Sequence, residues 1–153
     1  MADVVDKATR SRMMSGIRGK NTLPELQVRS LLHRAGFRFQ LHRRDLPGKP
    51  DIALPKYGAV VFVHGCFWHG HRCSVFKWPK TNAEFWRQKI LSNRKRDRRH
   101  LALLQGMGWR VLTVWDCALR RQEPKEIKHV LHRMTRWLNS GVVELTIPTG
   151  VAR

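Results

Sequence analysis

The stretch LPGKPDIALPKYGAVVFVHGC, residues 46–66, decides the fold. Its first five residues form a turn by their proline and glycine content. Asp51 to Leu54 reads as a short strand, and Pro55 to Gly58 as a hairpin turn. Ala59 to Val63 is a continuous apolar, mostly β-branched run, the signature of a strand buried on both faces. A carboxylate thus opens one strand, and polar groups from His64 onward close the next.

Upstream, Thr22 with Glu25 three residues later is a capping-box pattern, and Pro24 suits a first helical turn. The spacing predicts a helix whose buried face carries Leu26, Leu31, Leu32 and Ala35, ending at Gly36. Residues 37–42 alternate and read as a strand. Downstream, a long helix is expected over 82–107, a buried strand over 109–115 and a last helix over 124–139. The order α-β-β-β-α-β-α describes a mixed α/β domain with helices covering a short sheet. Three segments follow: a basic arm over 1–21, a core over 22–139, and a weakly specified tail over 140–153.

Composition narrows the partners. In 153 residues, 30 Lys plus Arg oppose 11 Asp plus Glu, a formal charge of +19. Such an excess repels itself unless a polyanion is near, and nucleic acid is the commonest, because neutralising phosphates releases counterions. An anionic membrane surface is the rival. No apolar run is long enough to span a bilayer, and the N-terminal MADVVDKATRSRMM lacks the apolar segment of a secretory signal. A cytosolic protein with reduced cysteines is the expectation.

The segment VHGCFWHGHRC, residues 63–73, concentrates the chemistry. Cys66, His71 and Cys73, with Cys117 beyond the last core strand, are soft donors suited to a closed tetrahedral zinc site. The competing reading makes these cysteines buried apolar thiols. Carboxylates are scarce: between Glu25 and Glu84 only Asp45 and Asp51 occur. Asp51 is the natural oxygen ligand for a hard cation such as Mg²⁺. A Pro-Asp before a buried strand with a polar end is the layout of the PD-(D/E)xK nucleases, whose Glu-x-Lys is absent here; Phe62, Val63 and His64 stand in its place. A histidine, His64 or His69, can take the water proton instead. Glu25 reads equally as a helix cap or as a group reaching the metal water. Phe67, Trp68 and Trp86 read either as base-stacking wedges or as a small local core. Arg12 in the arm and Lys89 and Arg94 on the long helix are candidate phosphate contacts.

Several blocks together resemble one family. VHGCFWHGHRC (63–73), MADVVDKATRS (1–11), LPGKPDI (46–52), FWRQKI (85–90), NRKRDRR (93–99) and GWRVLTVWDCALR (108–120) are similar to the very short patch repair mismatch endonucleases, over roughly residues 1–138. The resemblance implies a restriction-endonuclease-like fold with a structural zinc site and a Mg²⁺-dependent enzyme. It would nick one strand 5′ to the thymine of a T:G mismatch, the product of 5-methylcytosine deamination. It implies that Asp51 and the Val63 carbonyl hold Mg²⁺, and that His69 activates water with support from His64 and Glu25. It further implies zinc on Cys66, His71, Cys73 and Cys117, with Phe67, Trp68 and Trp86 entering one groove and Met14 the other. Double-stranded DNA and mismatch-repair proteins are the implied partners, and a monomer in the bacterial cytoplasm, at the nucleoid, the implied setting. Val63, Gly70 and Asp116 depart from the family's Thr, His and Glu. The residues by themselves also fit a non-catalytic zinc-stabilised DNA-binding module, or a nuclease of this fold with another specificity.

Overall fold

The computed structural model describes residues 21–74 and 76–148. Helix α1 spans Leu23–Arg34, strands β1, β2 and β3 span Gln40–Leu41, Ile52–Leu54 and Ala59–His64, and helix α2 spans Ala83–Gly106. Strand β4 spans Arg110–Trp115, helix α3 Pro124–Leu138 and strand β5 Glu144–Ile147. The five strands lie in chain order in one sheet. β1, β2 and β3 pair antiparallel, whereas β3 and β4, and β4 and β5, pair parallel. This is the mixed α/β sheet that the strand and helix order anticipates.

Two cores sit on the sheet's two faces, and strand alternation sorts the residues between them. Ala59 and Val61 of β3, Leu112 and Val114 of β4, and Ile147 of β5 pack with Val28 and Leu32 of α1 and with Val130, Met134 and Trp137 of α3. Val60 of β3 and Val111 of β4 pack on the other face with Leu104 of α2, and Phe62 lies against them. His64 continues the Val60–Phe62 row, so the alternation of β3 points it to the α2 side.

Three sequence expectations change. The buried face of α1 is Glu25, Val28, Leu31 and Leu32, while Leu26 is 42% exposed and Ala35 is exposed. Glu25, Val28 and Leu32 follow the i, i+3, i+7 row that helical geometry puts on one face, and a carboxylate occupies that row. The strand expected over 37–42 shrinks to Gln40–Leu41, because His42 turns the chain at φ 48. The segment read as a tail supplies β5, joined to β4 in the register Leu112↔Leu145.

Arg110 locks this edge. Its guanidinium donates to the carbonyls of Tyr57 (2.9 Å), Trp137 (3.0 Å), Leu138 (2.9 Å) and Val142 (3.2 Å) and lies 4.5 Å from the Trp137 ring centroid. A cation there also meets the negative end of the α3 dipole. Arg110→Ala is expected to lower the unfolding free energy by about 2–4 kcal/mol, since four carbonyls lose a charged donor. Urea unfolding followed by tryptophan fluorescence measures this, and a loss under about 0.5 kcal/mol, the scale of an ordinary surface substitution, would refute the assignment.

Candidate active site and metal centre

The parallel strands β3 and β4 end side by side, with His64 opposite Trp115 in the register. Side chains leaving these two ends, the loop after β3 and helix α2 enclose a cleft of about 820 Å³. Asp51, Val63, His64, His69 and Asp97 all line it, as do His42, Lys49, Arg96 and His100.

Asp51 enters from the turn before β2. Its Oδ2 accepts the main-chain N–H of Val63 at 2.7 Å. Burial pushes its carboxyl up to about 7 against the pull of that amide, and Glu25 nearby adds to the rise. A carboxylate with this much desolvation fits a site that takes on a compensating cation. Glu25, His42 and Asp51 offer ligand atoms all within 4.8 Å of one another. Glu25, 1% exposed, accepts the Asn21 N–H at 3.1 Å, meets His42 Nε2 at 2.7 Å and forms an ion pair with Arg29. Its own N–H is capped by the Thr22 hydroxyl at 3.4 Å, one half of the capping box, while its carboxylate takes the Asn21 N–H and faces the Asp51 group.

On the other wall, the His64 and His69 rings stack at 3.8 Å with an interplanar angle of 5°. Burial holds the His64 imidazole down to about 3, and His69 adds to the effect. His64 is therefore neutral, and its buried Nδ1 has no hydrogen-bond partner. His69 Nδ1 lies 2.5 Å from Asp97 Oδ2. Burial works to raise the Asp97 carboxyl, but the His69 bond and the neighbouring imidazoles and Arg96 outweigh it and hold it below the usual range. Donation from Nδ1 to a carboxylate leaves Nε2 as the proton-accepting nitrogen, and the carboxylate stabilises the imidazolium once a proton arrives.

Asp97 is the residue that the sequence reading missed. It is the sole acid in NRKRDRR and lies on the row Ile90, Asn93, Asp97, Leu101, Leu104, the stripe of α2 that turns toward the sheet. That register is the signal that could have singled it out. His42 and Arg29 were likewise passed over.

Cys66, His71, Cys73 and Cys117 come together on the Trp115 side of the same loop, their ligand atoms all within 4.8 Å of one another. Cys66 Sγ and Cys117 Sγ each lie 3.6 Å from His71 Nδ1. The His71 ring stacks on Trp115 at 4.1 Å, which fixes its orientation. Burial pushes the Cys66 and Cys117 thiols up. Three sulfurs and an imidazole grouped without a disulfide are the donor set of a soft tetrahedral metal site, and a bound cation reverses the penalty on the thiolates. The fit is good, because four converging donors close such a shell.

The same loop carries aromatic rings. Phe67, Trp68 and Trp86 contact one another edge to face, at 5.3, 5.2 and 5.7 Å between centroids. Asn93 anchors the loop by donating to the Trp68 carbonyl at 2.8 Å. Gly70 lies at φ +60 with its Cα against helix α2; an added Cβ would sit 2.5 Å from Ile90. Lys89 is exposed on α2, and Arg94 is half-buried beside Gly70 of the loop after β3. Arg12 and Met14 lie outside the described residues.

This arrangement matches a known group. Residues 2–75 match the family model described as DNA mismatch endonuclease Vsr. The chain is 47% identical over 138 residues to the DNA mismatch endonuclease Vsr of Escherichia coli strain K12, covering 90% of this chain and 88% of that one. The chain belongs to the Vsr family of DNA mismatch endonucleases. It is also 52% identical over 119 residues to the type II nicking enzyme V.XorIIP of Xanthomonas oryzae, covering 78% of this chain and 88% of the relative. Among solved structures, the catalytic domain of the homing endonuclease I-Bth0305I superposes with a TM-score of 0.50 at 23% identity, over 76% of this chain and 94% of that domain. That likeness shows that the Vsr-family fold here is the fold of a nuclease domain. The assignment as an endodeoxyribonuclease follows from the family.

The Asp51 environment gives a pH test with a definite sign. The folded carboxyl holds its proton to about 7, against an ordinary value of 3.8. The folded state therefore binds more protons in that window, and stability is lost as pH rises through it. In Mg²⁺-free buffer at pH 8, Asp51→Asn is expected to raise the thermal midpoint, and to leave it near the parent value at pH 4. A lower midpoint at pH 8 would overturn the buried-charge account.

Proposed function

We propose that this protein nicks one strand of duplex DNA on the 5′ side of the thymine in a T:G mismatch, starting very short patch repair. The observation that carries this reading is the meeting of Asp51, His64, His69 and Asp97 in one cleft, in a chain 47% identical to a mismatch endonuclease. Asp51 and the Val63 carbonyl would hold Mg²⁺, which when bound supplies charge stabilisation at the scissile phosphate and its leaving oxygen.

This chain's own residues account for the rest. His69 Nε2 takes the proton of the attacking water, and Asp97 stabilises the resulting imidazolium through Nδ1. His64, neutral and stacked on His69, holds that ring in place without adding charge. Glu25 supports the Asp51 side of the cleft. Phe67, Trp68 and Trp86 wedge between base steps, with Met14 entering from the opposite groove. Unstacking costs about a few kcal/mol per step, and least at a mispair, which selects mismatched sites. Arg12, Lys89 and Arg94 contact phosphates. Cys66, His71, Cys73 and Cys117 would hold zinc, which when bound would fix the loop that carries both His69 and the wedge. The protein acts as a monomer at the bacterial nucleoid, coupled to mismatch-repair proteins.

A panel of end-labelled duplexes tests the reading. With Mg²⁺, a T:G duplex should be nicked at least about tenfold faster than C:G and other mispairs, a difference of about 1.4 kcal/mol in transition-state stabilisation. Equal cleavage of paired and mispaired duplexes would reject it, and binding without any cleavage would make the protein a DNA-binding module. Elemental analysis should give one tightly held zinc per chain, reduced in Cys117→Ser. A folded, metal-free parent would refute the zinc assignment.

A further inference from the structure

One polar cluster beside the cleft has no part in the proton transfer. Arg29 Nη2 reaches Asn21 Oδ1 at 2.7 Å and pairs with Glu25 Oε2. His42 Nε2 meets the same Glu25 oxygen at 2.7 Å. A contact that short to a carboxylate makes Nε2 the donor. The 3.3 Å approach of Arg29 Nη2 to His42 Nε2 is then a proximity of two donors around one oxygen. The His42 main-chain N–H donates to the Asp51 carbonyl at 3.1 Å. His42 is therefore a bridge, with its backbone on the Asp51 strand and its ring on helix α1.

Two features set this apart from ordinary packing. His42 sits at φ 48, a left-handed conformation uncommon outside glycine. Glu25 occupies the buried row of α1, where an apolar residue would pack more stably than a desolvated ion pair. A ring nitrogen of His42 and a carboxylate oxygen of Glu25 both lie within 4.8 Å of the Asp51 carboxylate.

We propose that Arg29 and His42 are positioning residues of the nicking reaction: they clasp Glu25 and thereby fix the distance between helix α1 and the Asp51 carboxylate. The proposal rests on the mismatch-nicking reading above and adds two residues to it. Misplacing a metal-binding carboxylate by a fraction of an ångström lowers turnover and leaves DNA binding, which other surfaces carry, in place.

Glycine accepts φ 48 without strain, so His42→Gly removes the ring and keeps both the fold and the N–H bond to Asp51. His42→Gly and Arg29→Met are expected to lower kcat on T:G duplex by about tenfold or more. KM should stay within about twofold of the parent, as for an interaction realised only in the transition state. The thermal midpoint of His42→Gly should be no lower than the parent's. His42→Gln, which restores a donor, should recover part of the rate. Calorimetric titration with Mg²⁺ alone supplies a readout independent of turnover, and both loss variants should bind it more weakly. Parent kcat in both loss variants, a rise in KM alone, or a rate loss matched by the unfolded fraction would each overturn the clasp. If the parent itself fails to nick T:G duplex, the functional reading falls, and calorimetry still decides: unchanged Mg²⁺ affinity in both variants refutes the clasp.

Discussion

The hydrogen bond from the Val63 amide to the Asp51 carboxylate, 2.7 Å long, is the constraint on which the site depends. It joins the start of one strand to the end of the next. It holds a carboxylate where burial disfavours its charge, with Glu25 close enough to disfavour it further. The hairpin supplies the rigidity: β2 and β3 pair from Ile52↔Val61 to Leu54↔Ala59, and all six of these residues are fully buried. Because β3 is so firmly packed, its last residues present His64 to one face and the Val63 main chain to Asp51 without further support.

Three clusters of donor groups share the end of this sheet, and only one of them carries sulfur. Oxygen donors gather around Asp51, imidazoles around the His64–His69 stack, and sulfur around His71. Their separation follows from the loop after β3, whose residues alternate between them: His69 turns to Asp97, while Cys66, His71 and Cys73 turn to Cys117. A hard cation and a soft one would therefore find different donor sets at this end of the sheet. The basic surface of α2 surrounds these sites, and Asp97 on its inward stripe is the acid that orients His69. Charge on the outer face suits a polyanion, and the one acid on the inner face holds the His69 ring.

The strand and helix order was legible because its signals are local. Continuous β-branched residues over 59–63, the proline–glycine turns and the Thr22–Glu25 cap all act over a few positions. The grouping of Cys66, His71, Cys73 and Cys117 was legible from residue type and spacing, although its convergence needed β3 and β4 to end together. What escaped depends on tertiary pairing. Strand β5 is four residues long and is defined by its ladder with β4. The buried face of α1 was misplaced because a carboxylate occupies a core position, contrary to any hydropathy pattern. Asp97 hid in a basic run, and His42 in a strand-like alternation that its positive φ interrupts. Most of these failures of local reading cluster at the cleft, where function overrides the preferences that shape the rest of the chain.

On the proposed mechanism, Asp51 serves the chemistry of the cleft and leaves DNA recognition to other surfaces. The most direct measurement follows Asp51→Asn and the parent on one labelled T:G duplex, with binding and nicking scored in the same Mg²⁺-containing samples. The account predicts that the variant binds within about threefold of the parent, under 1 kcal/mol, and produces no nick. Nicking by the variant at the parent rate would contradict it.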